Sequence, residues 1–146
     1  MHLLFNNAGI QIPKAWDRMS EAEFDKVMAI NCDGVITATR VFWPMLFAAD
    51  EAAIVNTSSV AAFLPNAGGM CNPYAVSKAA VRGFSEHLAM DSRIMAPHIT
   101  VSCVHPGAVN TEIVRKNVNM EEVDLRFVAR THTRQSCMCR SVLGQG

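Results

Sequence analysis

Three features of the 146-residue chain predict an α/β class, a parallel sheet wound by helices. Short apolar runs recur at Leu3–Phe5, Ala53–Val55 and Ile99–Val104, each running into polar or glycine-containing turn residues. Long stretches of helical periodicity separate them, and strands joined through such helices lie parallel. The runs are continuous rather than alternating, which predicts strands covered on both faces, a doubly wound arrangement.

The first run ends in Asn6-Asn7-Ala8-Gly9, a turn. Ser20-Glu21-Ala22-Glu23 has the spacing of a capping box and predicts a helix start. Phe24, Val27, Met28, Asn31, Val35, Ala38, Phe42 and Met45 then recur at steps of three and four, so one helix is expected over 21–47, kinked near Pro44. The second run leads into Asn56-Thr57-Ser58-Ser59, and the Gly-, Asn- and Pro-rich stretch 65–73 reads as a loop. Asn72-Pro73 is a helix start with proline at the first helical position. Val76, Ala80, Phe84 and Leu88 give that helix its apolar stripe, and Ala96-Pro97 ends it. The third run enters His105-Pro106-Gly107; His105 is given no role. Glu121–Arg130 predicts a short helix, and the residues after it carry no periodicity, as in a frayed tail.

Composition removes several function classes. Half of the residues are hydrophobic, which excludes an intrinsically disordered chain. Lys+Arg and Asp+Glu balance at 13 each, leaving no basic footprint for nucleic acid. The longest apolar run, Val41–Ala49, is too short for a bilayer span and contains Pro44. Nothing at the N-terminus resembles a secretory leader, so a cytoplasmic setting is expected. The methionines Met28, Met45, Met90 and Met95 read as core filler or an oligomer surface. His132, Cys137 and Cys139 lack a second ligand pair at zinc spacing, so no metal site is expected.

The chemistry centres on Tyr74-Ala75-Val76-Ser77-Lys78. Tyr74 and Lys78 are neighbours on one helix face, close to a helix N-terminus that favours negative charge. A phenol with a reference pKa of about 10 must drop by roughly 3 units, or about 4 kcal/mol, to exchange protons at neutral pH. A cation about 5 Å away at an effective dielectric near 20 offers about 3 kcal/mol. The helix terminus supplies up to about 2 kcal/mol more. Together these terms poise Tyr74 as a general acid/base.

In sheet order the polar residues form a set: Asn7-Ala8-Gly9, Asn31 on the first helix, Ser58-Ser59, Tyr74-(x)3-Lys78, then Pro106-Gly107. From Leu3 to Lys116 this set resembles the short-chain dehydrogenase/reductase family. The resemblance implies a Rossmann-like fold and reversible hydride transfer between NAD or NADP and an alcohol/carbonyl pair. It implies Tyr74 as acid/base, Lys78 as the residue that lowers its pKa and holds the nicotinamide ribose, and Ser59, ahead of Ser58, as the hydroxyl that orients the substrate oxygen. Asn31 matches the family's helix asparagine, which anchors a proton-relay water; a kink residue satisfied by backbone is its other reading. Asn7, Ala8 and Gly9 match the cofactor-lining loop, and Pro106, Gly107, Val109 and Thr111 the nicotinamide-side loop.

Against the family's pattern, no glycine-rich turn opens a helix ahead of Leu3, and Ala62 stands where the family usually has glycine. The expected architecture is therefore a partial Rossmann-like sheet of about three strands with two long helices. Its N-terminal βαβ half is absent, and the chain is the C-terminal part of a longer enzyme. Residues 1–116 form the partial catalytic, nicotinamide-side domain and 117–146 an atypical, poorly ordered tail. The family's two long helices imply a homo-oligomer, and an alcohol or ketone as the small-molecule substrate. An impaired fragment that associates with full-length family members is the alternative, and an epimerase or dehydratase a third.

Overall fold

The computed structural model describes residues 1–64 and 72–107. In order come β1 (Leu3–Asn6), a 3-10 turn at Trp16–Arg18, α1 (Glu21–Met28), a π turn at Ala29–Asp33, and α2 (Gly34–Phe47). β2 (Ala52–Thr57), a second 3-10 turn at Val60–Ala62, α3 (Asn72–Met95) and β3 (Ile99–Val104) complete the order. The strands form one parallel sheet in the order β1-β2-β3.

The capping box at Ser20 forms as the spacing predicts: Ser20 Oγ accepts from Glu23 N at 3.3 Å, while the Glu23 carboxylate accepts from Ser20 N at 3.0 Å. Lys14 Nζ lies 2.6 Å from the same carboxylate and ties the loop ahead of α1 to the helix. The single helix expected over 21–47 is interrupted by the π turn, which holds Asn31 fully buried. Pro44 sits inside α2, which continues to Phe47.

Burial alternates along β1 and β2. Leu4, Asn6, Ala52, Ile54, Asn56, Ile99 and Val101 are buried, and Leu46 of α2 and Ala96 beyond α3 close over the apolar members. Both long helices pack on this face. Leu3 and Phe5, with the opposite parity, are 57% and 56% exposed. The doubly wound coverage expected from continuous apolar runs is thus present on one face among the described residues.

The expected absence of the N-terminal βαβ half is overturned. The chain opens with a complete parallel β-α-β unit, β1 pairing with β2 from Leu3↔Ala53 to Asn6↔Asn56, with α1 and α2 between them. The expectation rested on the lack of a run of glycines; here a single one, Gly9, makes the close approach after β1, against Asn31 and Lys78. The expectation of a part lacking that unit is corrected accordingly.

A polar ladder crosses the buried layer. Asn6 Nδ2 donates to Thr39 Oγ1 of α2 at 3.2 Å and to Asn56 Oδ1 at 2.8 Å. Asn56 Nδ2 donates to Ser85 Oγ of α3 at 2.9 Å, and the Ser85 hydroxyl donates to Val81 O. Buried amides are tolerated where each finds partners. No helix among the described residues is long and apolar enough to cross a membrane. The expectations for Val109, Thr111, a helix at Glu121–Arg130, the 117–146 tail and the His132–Cys137–Cys139 group lie outside the described residues.

Candidate functional site

The polar residues singled out in the sequence gather at the carboxyl ends of β1 and β2, where open α/β sheets bind ligands. Lys78 is at the centre. It is 3% exposed, and its Nζ donates to Thr57 O, the last carbonyl of β2, at 2.7 Å. Its partner is a main-chain carbonyl rather than a carboxylate. A buried cation without a counter-charge is costly, which marks a functional site more often than a structural one. Burial holds the Lys78 amine below the ordinary lysine range, with Cys103 opposing.

Tyr74 lies one turn earlier on α3, and Lys78 Nζ is 5.7 Å from its ring centroid. The helix brings this pair together by its own geometry, as i and i+4 residues always are. Ser77, between them, donates its hydroxyl to Tyr74 O at 2.7 Å and accepts from Asn31 Nδ2 at 3.0 Å. Asn31 also donates to Ile10 O and accepts from Ile10 N, both at 2.8 Å. Its amide therefore fastens the loop after β1 to the start of α3. The π turn presents that side chain to both.

Gly9 lies inside this group. A Cβ built there would stand 3.3 Å from both Asn31 Oδ1 and Lys78 Nζ. Asn7 Oδ1 accepts from Thr57 Oγ1 at 3.2 Å, linking the β1 and β2 ends, while Ala8 is exposed.

The two serines differ. Ser58 is 1% exposed and its hydroxyl donates to Lys78 O at 2.7 Å, so it serves the backbone. Ser59 Oγ accepts from Ala61 N at 3.2 Å and caps the short turn Val60–Ala62. Pro106 O accepts from Val60 N at 3.1 Å, which ties the β3 loop to the same turn. Among the described residues nothing lies within 4 Å of a Cβ built at Gly107, so that residue does not join the Lys78 group.

Sequence reasoning passed over Ser77, Asn56, Arg82 and His105. Arg82 Nη1 donates to Ala62 O at 3.5 Å, and its guanidinium carbon is 4.5 Å from the Phe63 ring centroid. Phe63 meets the His105 ring edge-on at 4.7 Å. Burial first, and Arg82 also, hold His105 below its ordinary pKa, against a hydrogen bond to the Ser59 main chain and the Glu86 charge. The available signal was spacing: Arg82 falls at i+4 from Lys78 and i+8 from Tyr74. Cys32 and Cys103 are free thiols, both raised in pKa chiefly by burial. Among the described residues no group of three His, Cys, Asp or Glu is placed to hold a metal.

At Gly9 the backbone closes on the buried ammonium, an approach that glycine permits.

A family model described as short chain dehydrogenase matches residues 1–122. The NADP-dependent (R)-specific alcohol dehydrogenase of Lentilactobacillus kefiri is 34% identical over 121 residues, covering 81% of this chain and 46% of its own. Dehydrogenase/reductase SDR family member 6 of Aquarana catesbeiana is 30% identical over 144 residues, 96% of this chain and 58% of its own. Among solved structures, Thermoplasma acidophilum aldohexose dehydrogenase superposes with a TM-score of 0.74 at 28% identity, covering 89% of this chain and 50% of that one. Gluconate 5-dehydrogenase of Burkholderia cenocepacia, in complex with NADP and tartrate, gives 0.71 at 28%, covering 82% and 45%. The chain spans about half the length of the curated relatives it matches.

Proposed function

Because the chain belongs to the short-chain dehydrogenase family, we propose that it is an oxidoreductase that uses NAD or NADP on an alcohol/carbonyl pair, with Tyr74 as the acid/base. The bound nucleotide supplies or accepts the hydride. Tyr74 donates its phenolic proton to the carbonyl oxygen during reduction and takes it back during oxidation. The observation that carries this reading is the Lys78 ammonium 5.7 Å from the Tyr74 ring, fixed by its bond to Thr57 O. A cation about 5 Å from a phenolate oxygen, at an effective dielectric near 20, stabilises it by about 3 kcal/mol, most of the roughly 4 kcal/mol required. Ser59 is the hydroxyl that orients the substrate oxygen, since Ser58 is committed to the Lys78 carbonyl. Lys78 and the Gly9 loop hold the nicotinamide ribose.

Asn31 positions Tyr74 through Ser77 and the loop through Ile10. A homo-oligomer through α2 and α3 belongs to the same reading, supported by exposed Val41 and Met45 on α2 and Met90 and Ile94 on α3. Light scattering that finds only monomer would remove it.

Turnover followed by nicotinamide absorbance at 340 nm, with NADH and NADPH and a panel of 2-alkanones, tests the enzymatic reading. Tyr74→Phe is expected to lower kcat by on the order of 10²–10⁴ while nucleotide binding persists. Undiminished turnover in Tyr74→Phe would rule the assignment out.

A further inference from the structure

Nothing in the proposed chemistry uses Arg82, Phe63 or His105, yet the three form one column beside Ser59. The turn that begins at Ser59 is held at its start by Pro106 O, which accepts from Val60 N at 3.1 Å. At its end Arg82 reaches over from α3 to Ala62 O and lies across the Phe63 ring at 4.5 Å. His105 closes the column from the β3 side.

A surface arginine paired with Glu86, at 3.5 Å from Nε, would explain little, because exposed ion pairs contribute little. Arg82 makes more than that pair, reaching both Ala62 O and the Phe63 ring. Its Nε is shielded from solvent and, with the Glu86 carboxylate at 3.5 Å, makes no formed hydrogen bond among the described residues. An atom desolvated in this way is tolerated where the planar group is held for another contact, here the ring and the carbonyl. Arg82 also shares a face of α3 with Tyr74 and Lys78. One rigid helix therefore carries both the acid/base pair and the clamp on the serine turn.

We propose that Arg82 is a positioning residue, clamping Ala62 and Phe63 so that the Ser59 hydroxyl is set in register with the Tyr74–Lys78 pair. This rests on the reading of Ser59 as the hydroxyl that orients the substrate. Small displacements of such a group cost rate steeply, up to about a hundredfold for about 1 Å.

The test compares Arg82→Met, which keeps an apolar stem, and Arg82→Lys, which keeps the charge, in the native and the Ser59→Ala backgrounds. Turnover is followed with NADPH and 2-alkanones. Arg82→Met is expected to lower kcat by roughly tenfold to a hundredfold with nucleotide KM unchanged. Arg82→Lys recovers part of the loss, and the Arg82→Met effect disappears once Ser59 is already alanine. An equal loss in both backgrounds overturns the proposal, since a merely structural role would act in each. Amide exchange supplies a readout independent of turnover. Arg82→Met is expected to speed exchange at Phe63 and Leu64, whose amides both donate to Val60 O at 3.0 Å, while β2 stays protected. Unchanged exchange there overturns the clamp. If Ser59→Ala leaves turnover intact while exchange at the turn responds to Arg82→Met, the role of Ser59 fails and the clamp stands.

Discussion

Gly9 and Lys78 sit so close that a methyl group on the glycine would stand 3.3 Å from the ammonium nitrogen. The same methyl would press equally on Asn31 Oδ1. Neither neighbour is a loose side chain: Lys78 is anchored to Thr57 O and Asn31 is bonded to Ile10 and Ser77.

Gly9→Ala is therefore expected to destabilise the fold by about 1–3 kcal/mol, the usual result of overpacking a fixed site. Nucleotide KM should rise with it if, as proposed, the Gly9 loop holds the nicotinamide ribose. Thermal denaturation and titration of NADPH fluorescence check both, and a variant with native melting and native affinity would show that the contact relaxes freely.

Lys78→Met should raise the pH at which alcohol oxidation reaches half its plateau, toward the value of about 10 for an unassisted phenol. The profile of kcat/KM against pH measures this. A limb at the native position would mean that the ammonium does not set the acidity of Tyr74.

Asn31→Ala removes an amide that satisfies Ile10 N, Ile10 O and Ser77 in a fully buried position. With each stranded group costing about 1 kcal/mol or more, a loss of about 3 kcal/mol is expected in urea unfolding.

Glu23 is held at about 2, first by its hydrogen bond to Lys14 and then by Ser20. A carboxylate whose folded pKa is depressed stabilises fully above its unfolded value of 4.5, and that stabilisation is lost as pH falls toward 2. Native protein should therefore melt above Glu23→Gln at neutral pH, with the gap closing between pH 4.5 and 2. A gap of constant size would show that the Lys14 contact does not persist in solution.

The strands, both helix starts and the capping box were legible because each rests on local chemistry: an apolar run, a serine three residues before a glutamate, a proline at a first turn. The end of β2 was not. Asn56 and Thr57 read as a turn, yet Asn56 is inside, because Asn6 across the sheet and Ser85 above it satisfy its amide. Polar residues that satisfy one another over such sequence distances leave no local trace. The π turn was half legible, a kink being one of the two readings of Asn31, while its extent over Ala29–Asp33 is shaped by partners on β1's loop and α3. Within the candidate site, the i and i+4 pair could be placed from spacing alone. Ser77 and Arg82 carried no such signal of their partners, which lie on other elements.

The facing amides of Asn6 and Asn56 also limit how the sheet can go wrong. Strands of alternating burial tolerate a slip of two residues far better than a slip of one, which turns every side chain over. Here even the two-residue slip is penalised, because it would part the two amides and set Asn6 against Ile54 or Asn56 against Leu4 beneath the helices. Misaligned pairings of β1 and β2 are thereby made unstable before the outer face, with Leu3 and Phe5, has any say in the outcome.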